Sequence, residues 1–412
     1  MHTHLVSSGG RDVRQASRRR KELMSFDRHR VRGILEWLTG DEGHDLDDAG
    51  FMGATGRRLR KAGLPVDRLT LHLRTLHPEF RGRTVVWSPG APVQVADREH
   101  DAGQSDVFAR SPMRQVMDTR RWLVVRLDDP RYAELSMLDL FRGQGLVELV
   151  IAPLIYGDMP ASAVVFCTRR TTGFSDADQR ALAAIVPALR GACEIRMLRH
   201  AETTLLDTYV GTATGRRILA GHIRRGDAET LDAALFLCDL RGFTALSDRL
   251  STADVLSLLN LYFDQVVPAI EAAGGEILKF MGDAVLAYFP AGRDPEQSCR
   301  AAFEAARAAL RRLADASPAS GPLRAGIALH YGTVSYGNIG SGHRLDFTVI
   351  GRDVNLTSRL QGLCEPLGEP LLMSKEFAGR LDRPDIAPIG AHAVKGLSYP
   401  IELFAPDGAQ GR

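Results

Sequence analysis

No run of 18 or more apolar residues occurs in these 412 residues, so no membrane-spanning helix is expected. The best candidate, Leu146–Cys167, is broken by Glu148, Pro153, Gly157, Asp158 and Pro160 and reads as two strands and a turn. No apolar segment follows the basic run Arg11–Lys21, so a signal peptide is not expected either. Cysteine is sparse: Cys167, Cys193, Cys238, Cys299 and Cys364 are odd in number and none are at CxxC spacing. That argues against a disulfide framework and for buried thiols in a reducing cytoplasm. An excess of one charge is missing too. Lys and Arg number 52 against 50 Asp and Glu, a formal net charge of +2, so nothing global points to nucleic acid. There is no GxxxxGK[ST], hence no support for a P-loop.

The length suits two or three domains. Residues 1–26 read as a flexible basic leader, 27–199 as a mixed α/β block, 200–230 as a helical connector, 231–404 as a second α/β block and 405–412 as a tail. In the first block, helical patterning covers Val31–Leu38, Asp48–Ala62 and Pro130–Phe141. Strands are expected at Leu69–Leu76, Thr84–Trp87, Trp122–Leu127, Leu146–Ile155 and Ala161–Thr168. Ser175, followed by Asp176 and Asp178, opens a long helix. The connector reads as that helix continuing, a break near Gly211 and a second short helix. In the second block, strands are expected at Ala233–Cys238, Glu276–Phe280, Ala284–Phe289, Leu323–Tyr331 and Leu345–Ile350. Helices are expected at Val255–Ala272, Pro295–Leu313 and Asp353–Leu363. Leu256, Leu259, Phe263, Val266, Val267 and Ile270 are assigned to the buried side of the first of these helices. Gly337–Gly342 is read as a hairpin loop.

The chemistry concentrates in the second block. Asp239 ends the apolar strand of AALFLCDLRGFT, and Asp283 sits in the turn of EILKFMGDAVLAYF. A strand–helix–strand connection between them can bring both carboxylates to the ends of adjacent strands, a site for divalent metal and polyphosphate. After Asp239, Leu240, Arg241, Gly242, Phe243 and Thr244 form a glycine turn leading into a helix, which presents backbone N–H groups to an anion. Asn355 and Arg359 in DFTVIGRDVNLTSRL are spaced i,i+4, so both point one way. An Arg fork suits phosphoryl charge, and an Asn amide can hold a ribose oxygen.

Together these segments resemble the catalytic domain of class III nucleotidyl cyclases. The resemblance implies an α/β (α+β) protein with a ferredoxin-like cyclase domain that converts ATP or GTP into a 3′,5′-cyclic monophosphate and pyrophosphate. It implies two Mg²⁺ or Mn²⁺ ions per site on Asp239, Asp283 and the Leu240 carbonyl, and terminal phosphates held by the glycine turn and by Lys395. It further implies a transition-state pair of Asn355 and Arg359, and base selection by Lys279 and Thr348. An ammonium only donates, so Lys279 favours adenine N1 over guanine N1–H. Asp346, two residues before Thr348 on the same strand face, can substitute if the register is off by two. In the resembling family the metal aspartates come from one subunit and the base and transition-state residues from the other, which implies a homodimer with shared sites. The first block is similar to GAF sensor domains, through GFSDADQRALAAIVPAL, with a PAS-like or unrelated domain as the rival. Its input is open, and His72, His77, Trp87 and Trp122 are candidates to line a pocket or pack the core. The expected protein is a cytoplasmic adenylate cyclase. A guanylate or mixed-specificity cyclase and a degenerate cyclase-like dimerisation or sensing domain are the alternatives. No GGDEF-like segment exists, and MGDA at 281–284 is not one.

Overall fold

The computed structural model describes residues 31–77, 80–99, 111–133, 135, 138–157, 162–316, 322–342 and 344–407. The leader 1–26 and the end of the tail lie outside the described residues. The chain divides into two units, Met1–Leu205 and Leu206–Arg412.

In the first unit, helix α1 covers residues 31–39. It is followed by α2 (Asp48–Lys61), β1 (Arg68–Arg74), β2 (Phe80–Trp87), β3 (Gln94–Glu99), α3 (Pro112–Thr119), β4 (Leu123–Arg126), α4 (Asp139–Gly143), β5 (Glu148–Leu154), β6 (Ser162–Thr168) and α5 (Asp176–Val210). The strands form one antiparallel sheet in the order β3-β2-β1-β6-β5-β4. β5 and β6 are buried on both faces, which is why they read as mainly apolar without a two-residue alternation. On one face Leu69, Leu71, Trp87 and Phe166 pack against Phe51 and Leu59 of α2 and Leu182, Ile185 and Leu189 of α5. On the other, Leu149, Ile151, Val165 and Cys167 pack under Met113 and Val116 of α3.

Several expectations change here. Pro130–Phe141 is a short 3-10 turn (Pro130–Tyr132) and the five-residue α4, because Pro130 starts a tight turn that does not propagate. β3 and α3 were not expected: β3 is a largely exposed edge without an apolar period. Trp87 is buried, whereas Trp122 is 40% exposed. The long helix ends at Gly211, whose φ of +84° suits glycine, and α6 (Thr212–Leu219) follows.

The second unit continues with β7 (Ala228–Leu240), α7 (Phe243–Ser247), α8 (Thr252–Ala272), β8 (Glu276–Met281), β9 (Ala284–Pro290), α9 (Pro295–Asp315), β10 (Ala325–Ser341), β11 (Arg344–Ile350), α10 (Arg352–Gln361), β12 (Leu371–Ser374), α11 (Lys375–Ala378), β13 (Ile386–His392) and β14 (Ile401–Pro406). The sheet order is β13-β14-β12-β10-β7-β9-β8, with β11 pairing on β10. Ala234, Phe236 and Cys238 face Tyr262, Val266 and Ile270 of α8 and Phe303 and Ala306 of α9. Ala233, Leu235 and Leu237 face the opposite way, with Tyr288, Tyr336 and Val349. Ser251 caps α8 by accepting from the Asp254 N–H, and Gly274 (φ +81°) closes it.

The buried stripe of α8 is Leu258, Tyr262, Val266, Ala269 and Ile270, while Leu256 is exposed. Its apolar residues run almost all round, so periodicity alone did not choose the face. Gly337–Ser341 is not a loop but the end of the long strand β10. A side chain at Gly337 would overlap the Asp227 carbonyl, so this glycine serves close strand approach.

Candidate active site

Strand pairing delivers the two aspartates. Asp239 lies one residue before the end of β7 and pairs with Ala284, the residue after Asp283. Gly282, at φ +68°, makes the tight turn that carries Asp283. Burial pushes the Asp239 carboxyl up to about 7, and the charge of and hydrogen bond to Asp283 add to this; the Leu240 N–H opposes it. Two carboxylates this close are poised for a cation. Among the described residues no group of three or more His, Cys, Asp or Glu forms a cation cage, so a metal here would need carbonyl, water or ligand oxygens as well.

These aspartates line a cavity of about 430 Å³ with Leu240, Arg241, Gly242, Phe243, Thr244, Gln361 and Glu365. Gly242, at φ +72°, is the N-cap of α7 and no side chain caps that end. Arg241 lines this cavity, and its guanidinium is tied into the fold. Its Nη2 donates to the Cys364 carbonyl at 2.9 Å and to the Glu369 carbonyl at 2.5 Å, tying β7 to the 364–369 segment.

Asn355 and Arg359 line a second cavity, of about 420 Å³, with His330, Thr333, Asp353, Glu376 and Arg380. The i,i+4 spacing on α10 therefore does put both on one side. Arg359 rests against the turn at Gly396: its Nη2 is 3.4 Å from where a side chain there would begin. Lys395, exposed, occupies the same turn. Asp353 was not singled out from the sequence. Its carboxylate accepts from the Thr333 N–H at 2.8 Å, lies 3.7 Å from His330 Nε2 and fills the space above Gly332. It thereby fastens the first turn of α10 to β10. The legible signal was an acid in a helix's first turn. His330 Nδ1 lies 2.7 Å from Ser374 Oγ, and burial lowers its pKa although Asp353 and Glu376 oppose that.

Lys279 and Thr348 line neither cavity. Lys279 Nζ meets Asp346 Oδ2 at 2.5 Å, joining β8 to β11. Thr348, opposite Gly337, is buried, and its hydroxyl has no partner. The alternative residue on this strand face, Asp346, is thus the one in contact with Lys279.

Residues 228–397 match the family model described as adenylate and guanylate cyclase catalytic domain. The chain is similar to an adenylate cyclase of Anabaena cylindrica, 32% identical over 169 residues, which are 40% of this chain and 34% of that protein. It is also similar to adenylate cyclase 1 of Rhizobium meliloti, 30% identical over 194 residues, 45% of this chain and 29% of that protein. The chain thus spans about a third of the length of these curated relatives. Among solved structures, the adenylyl cyclase CyaB of P. aeruginosa aligns at 29% identity and a TM-score of 0.40, covering 45% of this chain and all of that one. No helix among the described residues is long and apolar enough to cross a membrane. Residues 228–397 form a class III adenylate/guanylate cyclase catalytic domain.

Proposed function

We propose that the protein is an adenylate cyclase, converting ATP to 3′,5′-cyclic AMP and pyrophosphate in sites shared between two copies of the chain. The observation that carries this reading is the division of the candidate residues. Asp239 and Asp283 line one cavity, and Asn355 and Arg359 line another. A head-to-tail pairing of two chains would bring the first set of one against the second set of the other.

In this reading the ribose 3′-hydroxyl gives up its proton to solvent as its oxygen attacks the α-phosphorus, the bond to the bridging oxygen breaks and pyrophosphate leaves. Asp239, Asp283 and the Leu240 carbonyl would hold Mg²⁺ or Mn²⁺, which would lower the pKa of the hydroxyl and neutralise phosphate charge. The N–H groups of Gly242, Phe243 and Thr244 would donate to phosphate oxygens, and the Lys395 ammonium to the terminal phosphates. The Asn355 amide orients the ribose, and the Arg359 fork donates to the α-phosphate as charge builds there. Lys279 donates to adenine N1. Asp346 beside it supplies an acceptor for the adenine amino group, and the Thr348 hydroxyl lies behind them. Arg241 acts in this scheme as a scaffold for the phosphate turn. The first unit serves as a GAF-like input domain, and the intracellular nucleotide pool places the enzyme in the cytoplasm.

The test is turnover of ATP and GTP, supplied separately to purified full-length protein with Mg²⁺ or Mn²⁺, with both cyclic products quantified. Cyclic AMP from ATP, lost in Asp239→Asn, is expected. Mainly cyclic GMP would overturn the base argument, and no product from a verified dimer or from its isolated cyclase domain would overturn the enzyme reading.

A further inference from the structure

One face of the first unit's sheet carries positive charge with no paired carboxylate among the described residues. Along β1, Leu69, Leu71 and Leu73 point to the helix-covered core, so Arg68, Thr70, His72 and Arg74 share the other face. Across the strands His72 opposes Thr84, with Nδ1 3.2 Å from Oγ1. Arg74 opposes Gly82, and Gly82 opposes Arg98 of β3. A side chain at position 82 would begin 3.1 Å from Arg98 Nη2, so the glycine leaves this guanidinium room to lie over the strand. Arg68 opposes Cys167, donates from Nη1 to Gln144 Oε1 at 3.1 Å and sits 5.3 Å from the Phe141 ring.

Three polar atoms here are buried and unpartnered: Arg68 Nε, Arg98 Nε and the hydroxyl of Thr70, a residue only 3% exposed. Buried donors are nearly always satisfied in folded proteins, so three orphans on one face of the sheet, flanking His72, call for an acceptor. The contrast is Arg83, on the opposite face of the same sheet. It is fully used, with Nε and Nη2 on Asp97 at 2.7 and 3.1 Å and Nη1 on Asp48 at 3.1 Å. Arg68, Arg74 and Arg98 have no such carboxylate among the described residues. Burial lowers the pKa of all three. Arg81 and Arg114 push Arg74 further, and Arg74 and Arg81 push Arg98 further. Burial, with the charges of Arg98 and Arg68, pushes His72 down to about 3, so it stays neutral beside them.

We propose that Arg68, Thr70, Arg74 and Arg98 form a binding site for a small anion bearing a phosphate or carboxylate group. Planar guanidinium forks match either group, and the threonine hydroxyl adds one more donor. The site lies wholly within the first unit and does not rest on the cyclase reading.

The test is calorimetric titration and thermal melting of the full-length protein, free of nucleotide and metal. Inorganic phosphate and succinate serve as probes and glycerol as a neutral control. At least one anion should bind the wild-type chain and raise its melting temperature, with phosphate or succinate preference distinguishing the two ligand chemistries. That binding should weaken about tenfold or more in Arg98→Gln and in Arg68→Gln and persist in the exposed control Arg190→Gln. Removing one of several repelling charges should also raise the melting temperature of Arg98→Gln in anion-free buffer, which loss of a merely structural arginine would lower. Should Arg68→Gln fail to fold, Thr70→Val probes the same pocket with a near-isosteric change. The proposal is overturned if neither anion binds at millimolar concentration, or if both bind Arg98→Gln and Thr70→Val as tightly as the wild type.

Discussion

Mixing two inactive variants tests the shared-site reading most directly. Asp283→Ala removes a carboxylate from the cavity that holds Asp239, and Arg359→Ala removes the guanidinium from the cavity that holds Asn355. Each homodimer should lose about 10²–10³-fold or more in turnover, the scale seen when a charge-stabilising donor or metal ligand is lost. In a heterodimer both lesions fall in one site, and the other site is built entirely from unaltered residues. Random pairing of equal amounts makes about half of the dimers mixed, each with one of two sites intact, so activity per chain should recover to about a quarter of wild type. The assay is cyclic nucleotide production by chains carrying two different tags, co-purified through both so that the heterodimer is verified. On that purified heterodimer the expectation doubles to about half. No recovery in verified heterodimers would refute the division of labour and require Asp283 and Arg359 of one chain to act together.

Other consequences follow from single contacts. Asp178 is buried, and burial alone would raise its pKa, but hydrogen bonds from Ser175 and Arg170 outweigh this and hold the carboxyl below its usual value. Its stabilisation is therefore full above the ordinary aspartate pKa and fades as pH falls through the lower folded value; melting of Asp178→Asn below about pH 4 should lose much of the wild type's acid dependence, and an unchanged slope would contradict this. Gly56→Ala would ordinarily favour α2 by about 1 kcal/mol, but the new methyl would lie inside the Trp87 indole, so a net loss of about 1–3 kcal/mol is expected in chemical denaturation. Lys279→Glu places an acceptor where the donor was, so the ratio of GTP to ATP turnover should rise; because it also leaves Asp346 facing a second carboxylate, total activity should fall unless Asp346→Asn accompanies it. Burial pushes Cys167, Cys193, Cys238, Cys299 and Cys364 up to about 12, so a thiol reagent at neutral pH should label the folded protein only as fast as it unfolds.

Elements with a strong local signal were legible. The run Ala233–Cys238 reads as a strand, and Val255–Ala272 and Pro295–Leu313 read as helices, and each is found so. Lengths were less legible. β7 begins at Ala228 and β10 runs on to Ser341, because their extensions carry polar residues and glycines whose only reason to be extended is each other: Gly337 pairs with Ala228 and Asn338 with Phe347. Only the β7–β10 pairing, between residues about a hundred positions apart, leaves no local mark; the partner of Asn338 lies in the adjoining hairpin. The arginine-bearing face of β1 was hidden for the opposite reason. A strand reading RLTLHLR shows a clean alternation, which sequence logic assigns to a core face and a solvent face, and here the second face is half-buried, with Thr70 fully so.

The candidate site shows the same boundary between local and non-local information. Asn355 and Arg359 could be grouped from a helical spacing, and Asp239 and Asp283 from two strand ends, since each inference uses one element or one hairpin. The choice between Asp346 and Thr348 could not be made that way, because both lie on one face of β11 two residues apart. What sets the place of each side chain is the register of three strands. Pairing of Ile339 with Asp346 and of Gly337 with Thr348 sets where each side chain falls, and β8 then brings Lys279 to the exposed carboxylate, leaving the hydroxyl buried and without a partner. An orphan hydroxyl beside an ion pair is the arrangement that a purine edge would complete, one donor and one acceptor in front and a reversible partner behind. If that is its role, Thr348→Val should leave melting nearly unchanged, since no protein hydrogen bond is lost. It should raise KM for ATP several-fold while altering kcat less. A large loss of stability with KM unmoved would show instead that the hydroxyl serves the fold.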